Sequence, residues 1–282
     1  MQVEMNAVDL KGQVALVTGG GRGLGQGMAR ALAAAHASVA VTGRSESHLK
    51  NTVDLIQAAG GQAVAVAADV TDSAAVERMV RTVEGRLGPV SILVNNAGVT
   101  GRPGPTWEVD VDDWQRTFAV NVGGAFFCTR AVLPGMIAQR QGRIIHVASG
   151  AGLFGLAYGS QYCASKAALI RLSECVAAET KDYGICVFAI NPGNVRTDMT
   201  EYLMSSEEGQ TYLPWFRQLM LAGRDVPAEL SASLVVQLAS GQLDALSGRF
   251  INAEGDLPQL LNHADRIQEQ DLYTLRLRTL PD

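Results

Sequence analysis

Residues 14–27 read Val14-Ala15-Leu16-Val17-Thr18-Gly19-Gly20-Gly21-Arg22-Gly23-Leu24-Gly25-Gln26-Gly27. A short apolar run ends in a cluster of glycines, and a helix-like pattern follows over 24–36. Glycine permits positive φ and lets a backbone approach a ligand with no Cβ in the way. A helix that begins at such a turn presents unpaired N–H groups and a positive dipole end, a setting for phosphate. The glycines are not spaced G-x-G-x-x-G. Their spacing is T-G-x-x-x-G-x-G, set by Gly19, Gly23 and Gly25, with Gly21, Arg22 and Leu24 between them. Behind a strand and ahead of a helix, this stretch predicts a nucleotide-binding loop rather than a plain turn.

The rest of the chain repeats that rhythm. Strands are expected at 14–18, 38–42, 63–67, 92–95, 143–148, 185–190 and 249–252, and helices near 24–36, 46–58, 73–86, 111–140, 161–183 and 227–240. The strands are continuous apolar runs rather than in/out alternations, which suits a parallel sheet covered on both faces. The prediction is an α/β fold, a doubly wound seven-stranded parallel sheet with helices on both faces. Residues 1–255 form the expected domain, and 256–282 an added tail. No internal repeat or low-complexity segment interrupts it.

Composition narrows the function classes. The chain has 282 residues, of which 47% are hydrophobic, enough for a sizeable core and too many for a disordered chain. The net charge of −5 gives no support to nucleic-acid binding, which calls for a basic face. Cys128, Cys163, Cys175 and Cys186 show no C-x-x-C pair and no metal-ligand spacing, so no metal site is expected and free thiols in a reducing compartment are. Residues 1–10 carry Glu4 and Asp9 and no apolar run, so no signal peptide is expected. No stretch reads as a membrane span of roughly 20 apolar residues. The expectation is a soluble cytoplasmic protein.

Cofactor choice is read at the tip of the second strand, Val41-Thr42-Gly43-Arg44-Ser45. An NAD site usually carries an acid there to accept from the ribose hydroxyls. Here Arg44 stands in its place, and Arg22 adds a second cation, so a 2′-phosphate is favoured and NADP is expected ahead of NAD. Glu46, two residues on, argues the other way. Farther along, Tyr162 and Lys166 stand four apart and share one helix face. Ser149 ends the fifth strand, where ligand crevices of such sheets open. Asn121 sits inside a helical run although asparagine is an indifferent helix former. His146 reads as a strand residue rather than half of a hydrolytic pair, since an acid and an oxyanion hole would also be needed. Cys163 has no base partner and reads as packing.

Taken together, Thr18–Gly25, Asp69-Val70, Asn95-Asn96-Ala97-Gly98, Asn121, Ser149, Tyr162 to Lys166 and Asn191-Pro192-Gly193 through Thr197 resemble the short-chain dehydrogenases/reductases, in the branch of ordinary length. The pieces occur in family order over 11–255. The resemblance implies a single-domain Rossmann fold and hydride transfer between a nicotinamide cofactor and a carbonyl or secondary alcohol. It makes Tyr162 the general acid/base, Lys166 the cation that lowers the phenol's pKa and holds the nicotinamide ribose, Ser149 the partner of the substrate oxygen, and Asn121 the holder of a relay water. It places Asp69 and Val70 beside the adenine and Asn96, Ala97 and Gly98 along the ribose. Pro192, Gly193, Val195 and Thr197 fall at the nicotinamide. Where many members read Asp-Gly-Gly near the end, this chain reads Ala253-Glu254-Gly255-Asp256.

Residues 197–224 lie where the family keeps its substrate lid, and Met199, Tyr202, Leu203, Met204, Trp215, Phe216, Leu219 and Met220 suit either an apolar pocket wall or plain helix packing. A small-molecule ketone, aldehyde or secondary alcohol of modest polarity is the expected substrate. The resemblance implies a homodimer or homotetramer built on the helices of 111–140 and 161–183. In the tail, Leu257, Leu260, Leu261 and Ala264 fit one helical face. It either closes a neighbouring subunit's site or packs on its own domain. The alternatives to a reductase using NADP are the same chemistry with NAD, a silent NADP-sensing regulator, and a redox-neutral isomerase with trapped cofactor.

Overall fold

The computed structural model describes residues 7–277. The leader reading therefore falls largely, over 1–6, outside the described residues, as does the end of the tail, 278–282. Seven parallel strands form one sheet: β1 (Val14–Thr18), β2 (Ser38–Gly43), β3 (Gln62–Ala67), β4 (Ile92–Asn95), β5 (Gly142–Val147), β6 (Ile185–Asn191) and β7 (Phe250–Asn252), in the order β3-β2-β1-β4-β5-β6-β7. The order reverses between β1 and β4, so their carboxyl ends diverge and open a crevice. In register, Val17 lies beside Val41 on one side and Val94 on the other.

The apolar runs are continuous because each strand feeds two layers. Val17, Val41, Val94, Ile145 and Phe188 face one core, shared with α1 (Gly23–Ala34), α2 (Glu46–Ala58) and α10 (Ala228–Ser240). Leu16, Ala40, Leu93, Ile144 and Val187 face the other, beneath α3 (Ser73–Leu87), α5 (Ala125–Gln139) and α6 (Ser160–Thr180). Asp72 caps α3 by accepting from the N–H groups of Ala74 and Ala75 at 2.9 and 3.1 Å.

The helix foreseen over 111–140 is continuous over Val111–Gln139, as α4 (Val111–Phe118), a π-helical turn (Ala119–Gly124) and α5. Close packing accompanies the π turn: a Cβ on Gly124 would lie 2.6 Å from Val70 Cγ2. The stretch Val111–Gln139 is also long and apolar enough, by length and composition alone, to cross a bilayer, contrary to the sequence reading. Its apolar residues have another use here, since Cys128, Val132 and Met136 are fully buried against the sheet.

Beyond β6 come α7 (Asp198–Ser205), α8 (Glu207–Tyr212) and α9 (Pro214–Leu221), and beyond β7 come α11 (Leu257–Asn262) and α12 (Ala264–Glu269). The tail forms two short helices with His263 between them, rather than one. Leu260, Ala264 and Ile267 are buried in the α1/α10 core. The chain then turns back so that the Tyr273 carbonyl accepts from Phe250 N at 2.8 Å, on the free side of β7. Arg276 pairs with Glu174 of α6, and Arg171 donates to the Leu275 carbonyl at 2.6 Å. Ile267→Ala will lower the unfolding free energy by about 2–4 kcal/mol, read from the urea midpoint. Leu277→Ala, at a side chain 89% exposed, will change it by less than about 0.5 kcal/mol.

Candidate active site

The glycine loop is built by close backbone approach. A Cβ on Gly25 would lie 2.3 Å from the Gly19 carbonyl oxygen and 2.5 Å from Asn96 Nδ2, so only glycine lets α1 start this close to β1. Asn96 Nδ2 donates to the carbonyls of Thr18 (2.9 Å) and Gly19 (3.3 Å). In return Thr18 Oγ1 accepts from the N–H groups of Asn96 and Ala97, both at 3.0 Å. The loops after β1 and β4 are thus fixed to each other across the switch point. Arg22, at the N-cap of α1, makes no capping bond with its side chain.

Arg44 and Asp69 lie at the β2/β3 end of the crevice. The Thr71 backbone N–H holds the Asp69 carboxyl below its ordinary range, with help from the Thr71 hydroxyl, Arg44 and Arg116. Arg44 is exposed and makes no ion pair among the described residues. Arg22 does not join it there. It pairs with Asp198 at the start of α7, on the opposite flank. Val70 is buried against Gly124.

Asn121, Ser149, Tyr162 and Lys166 come together beneath the crevice. The Ser149 hydroxyl is near enough to the Tyr162 phenol to lower its pKa, and Ser149 Oγ accepts from Ala151 N at 3.2 Å. Lys166 Nζ lies 5.6 Å from the centroid of the Tyr162 ring and donates to the Val147 carbonyl at 2.8 Å. Asn121 lies in the π turn. Its Oδ1 accepts from Val99 N at 2.8 Å, and its Nδ2 donates to the Val99 carbonyl and to Ser165 Oγ, both at 2.9 Å. Gly98 closes the group: a Cβ there would lie 3.3 Å from Asn121 Oδ1 and 3.5 Å from Lys166 Nζ.

The electrostatics differ from the sequence reading in one respect. Burial pushes the Tyr162 phenol above its ordinary value, while Ser149 pulls the other way. Burial also pulls Lys166 down to about 8. Lys166 is not among the groups that shift the phenol: its ammonium stands 5.6 Å from the ring centroid and bonds to the Val147 carbonyl. His146 is the strand residue foreseen. It is buried between Thr129 (3.3 Å) and Ser173 (3.0 Å), and burial pulls it down to about 4, so it stays neutral. Burial pushes the Cys163 thiol up, which suits packing rather than attack.

At the β6 end, Gly193 has φ +81, and a Cβ would meet Val226 Cγ2 at 2.4 Å. Pro192 and the buried Val195 flank it. Thr197 caps α7 in a reciprocal box with Thr200, whose hydroxyl also donates to the Val195 carbonyl at 3.1 Å. The segment 197–224 meets the glycine loop here, since a Cβ on Gly23 would lie 3.4 Å from Thr197 Cγ2. Most of this segment's apolar residues pack on one another: Leu213, Phe216 and Met220 are buried, with Leu156, Leu203, Met204 and Leu219 around them. The helix-packing alternative accounts for these.

Sequence reasoning missed several residues. Asn191 Oδ1 accepts from Gly150 N (3.2 Å) and Gly193 N (3.3 Å), joining the loops after β5 and β6. Buried Gln161 donates to the Arg102 carbonyl at 2.7 Å. Arg102 pairs with Glu208 of α8 at 2.7 Å. Asn191 stands in the Asn191-Pro192-Gly193 stretch but was given no role of its own, and Gln161 adjoins Tyr162, which was the available signal. The pairing of 102 with 208 spans 106 positions and carries none.

The family model for short chain dehydrogenases matches residues 13–208. A short chain dehydrogenase of Pseudocercospora fijiensis is 35% identical over 285 residues, covering 96% of this chain and 91% of the relative. A 3-oxoacyl-[acyl-carrier-protein] reductase of Synechocystis is 34% identical over 249 residues, covering 88% and 98%. Among solved structures, a gluconate 5-dehydrogenase from Burkholderia cenocepacia in complex with NADP and tartrate superposes with a TM-score of 0.80 at 30% identity, covering 90% of this chain and 98% of that one. Motifs, topology and relatives agree, and the chain belongs to the short chain dehydrogenase family.

Proposed function

We propose that this protein is an NADP(H)-dependent carbonyl reductase, working in reverse as an alcohol dehydrogenase, with Tyr162 as its general acid/base. The observation that carries the reading is the gathering of Tyr162, Ser149, Lys166 and Asn121 beneath the crevice. The nicotinamide, when bound, supplies or accepts the hydride.

The chain's residues fit such a cofactor. The first turn of α1 and the loop Gly19 to Gly25 suit a pyrophosphate. Asp69 and Val70 would hold the adenine, Asn96, Ala97, Gly98 and Lys166 the ribose, and Pro192, Gly193, Val195 and Thr197 the nicotinamide. Arg44, unpaired among the described residues, is the cation for a 2′-phosphate. Arg22 contributes less than expected while Asp198 holds it, and this pairing is the observation that keeps NAD in view.

In the reducing direction Tyr162 gives its proton to the carbonyl oxygen. A phenol pushed above its ordinary value stays protonated at neutral pH, as a donor must. Ser149 donates to the same oxygen and stabilises charge growing there. Lys166 keeps the pocket positive below about pH 8. Asn121, fixed by Val99 and Ser165, holds the route by which the proton is replaced.

A second copy of the chain is the proposed partner, in a homodimer or homotetramer. Supporting it is an apolar groove between α5 and α6 lined by Phe126, Leu133, Pro134, Ile137, Leu172 and Cys175. The four thiols are free, which supports a reducing cytoplasm.

Turnover of a ketone panel with NADPH and NADH tests the reading. Tyr162→Phe will lower kcat by about 10²–10⁴-fold, and full turnover in that variant would remove the assigned role. Arg44→Ala will raise the KM for NADPH by roughly tenfold and leave that for NADH nearly unchanged. Reduction will decline as pH rises through about 8, where Lys166 loses its proton, and a kcat/KM profile flat to pH 10 would refute that assignment. Light scattering will give at least twice the chain's mass, against a monomer.

A further inference from the structure

The lid helix α8 is fastened to both banks of the crevice. On one bank, Glu208 holds Arg102 of the loop after β4 at 2.7 Å, and the Tyr202 hydroxyl donates to the same Glu208 oxygen at 2.9 Å. On the other, Tyr212 packs on Tyr158 of the loop after β5, with ring centroids 5.0 Å apart. Tyr158 lies four residues before Tyr162 and takes φ +66, an uncommon conformation for a non-glycine residue. Its carbonyl accepts from Gly104 N at 2.9 Å. The two banks are joined directly as well, since Gln161, the neighbour of Tyr162, holds the Arg102 carbonyl. The main chain at Arg102 is thereby tied to the residue beside Tyr162.

The cations along these banks are matched by acids. Arg22 pairs with Asp198, Arg102 with Glu208, and Arg196 with Asp225 at 2.9 Å and Glu201 at 3.7 Å. The lid's other arginines, Arg217 and Arg224, are solvent-exposed. Glu208 is the least exposed acid of these pairs, at 18% of its side chain, while Arg102 is 73% exposed. A substrate carboxylate arriving at Arg102 therefore meets a cation already paired with a sheltered acid.

We infer that Glu208 sets substrate choice by neutralising Arg102, so that the site accepts uncharged carbonyl compounds and discriminates against those bearing a carboxylate. The inference rests on the proposed carbonyl reduction and specifies its substrate class. Glu208 is a positioning residue: it acts through Arg102 and not on the reacting atoms. Removing its charge while keeping an acceptor for Tyr202 unmasks the arginine and makes this bank attractive to anions.

The test compares methyl levulinate with levulinate, one keto skeleton with and without the charge. The wild-type protein will favour the ester in kcat/KM. In Glu208→Gln the levulinate-to-ester ratio will rise about three- to tenfold, and the gain will fade in high salt. The double variant Glu208→Gln/Arg102→Gln will return the ratio to the wild-type level, which a merely loosened lid would not do. Equal use of both compounds by the wild type, or a ratio unmoved in Glu208→Gln, overturns the inference. If the wild type turns over no ketone with either nucleotide, carbonyl reduction itself fails. Calorimetric titration of levulinate then still reads the charge: tighter binding to Glu208→Gln supports the masking of Arg102, and unchanged binding overturns it.

Discussion

The amide of Asn96 and the hydroxyl of Thr18 hold the ends of β1 and β4 together at the point where the sheet's strand order reverses. A crevice at such a point is only as well defined as the two loops that border it. Here each loop satisfies the other's backbone groups, and Gly25 lets α1 start against both. The π turn then brings Asn121 to Val99 on the same loop, and Ser165 carries the connection to α6. One chain of hydrogen bonds therefore runs from the glycine loop to the helix that bears Tyr162 and Lys166.

Burial governs the chemistry of that helix. Tyr162 and Lys166 are both pushed toward their neutral forms, the phenol up and the ammonium down to about 8. A phenol in this state favours proton donation, the role it has in the reducing direction. The lysine's contact with the Val147 carbonyl keeps it at the edge of β5, within the same hydrogen-bonded frame. Neighbouring His146 is satisfied by Thr129 and Ser173 and titrates too low to interfere.

Much of the fold was legible in the sequence for a simple reason. Strands covered on both faces must be apolar throughout, so runs such as 14–18 and 185–190 announce themselves, and the glycines mark where β1 must turn tightly. Spacing put Tyr162 and Lys166 on one helix face and Ser149 at a strand end, while Asn121 stood out as an asparagine inside a helical run and through the family resemblance. What escaped depends on distant parts of the chain. The π turn at 119–124 accompanies Val70 pressing on Gly124, and Arg22 and Arg102 find Asp198 and Glu208 only after folding. The balance at Tyr162 was misjudged because four-residue spacing places two side chains on one face but does not say which atoms meet.

The return of the chain to β7 has a consequence for how the molecule is made. Tyr273 and Phe250 meet across more than twenty positions of sequence, and Arg276 reaches α6 only after that. During synthesis the seventh strand therefore emerges well before the segment that shields it. In that interval its free N–H and C=O groups are open to any extended peptide nearby, the usual hazard of an uncovered sheet margin. The turn at Asp271 and Tyr273, both at positive φ, brings the shielding segment back, and Arg249 to Asp271 at 3.4 Å steadies it.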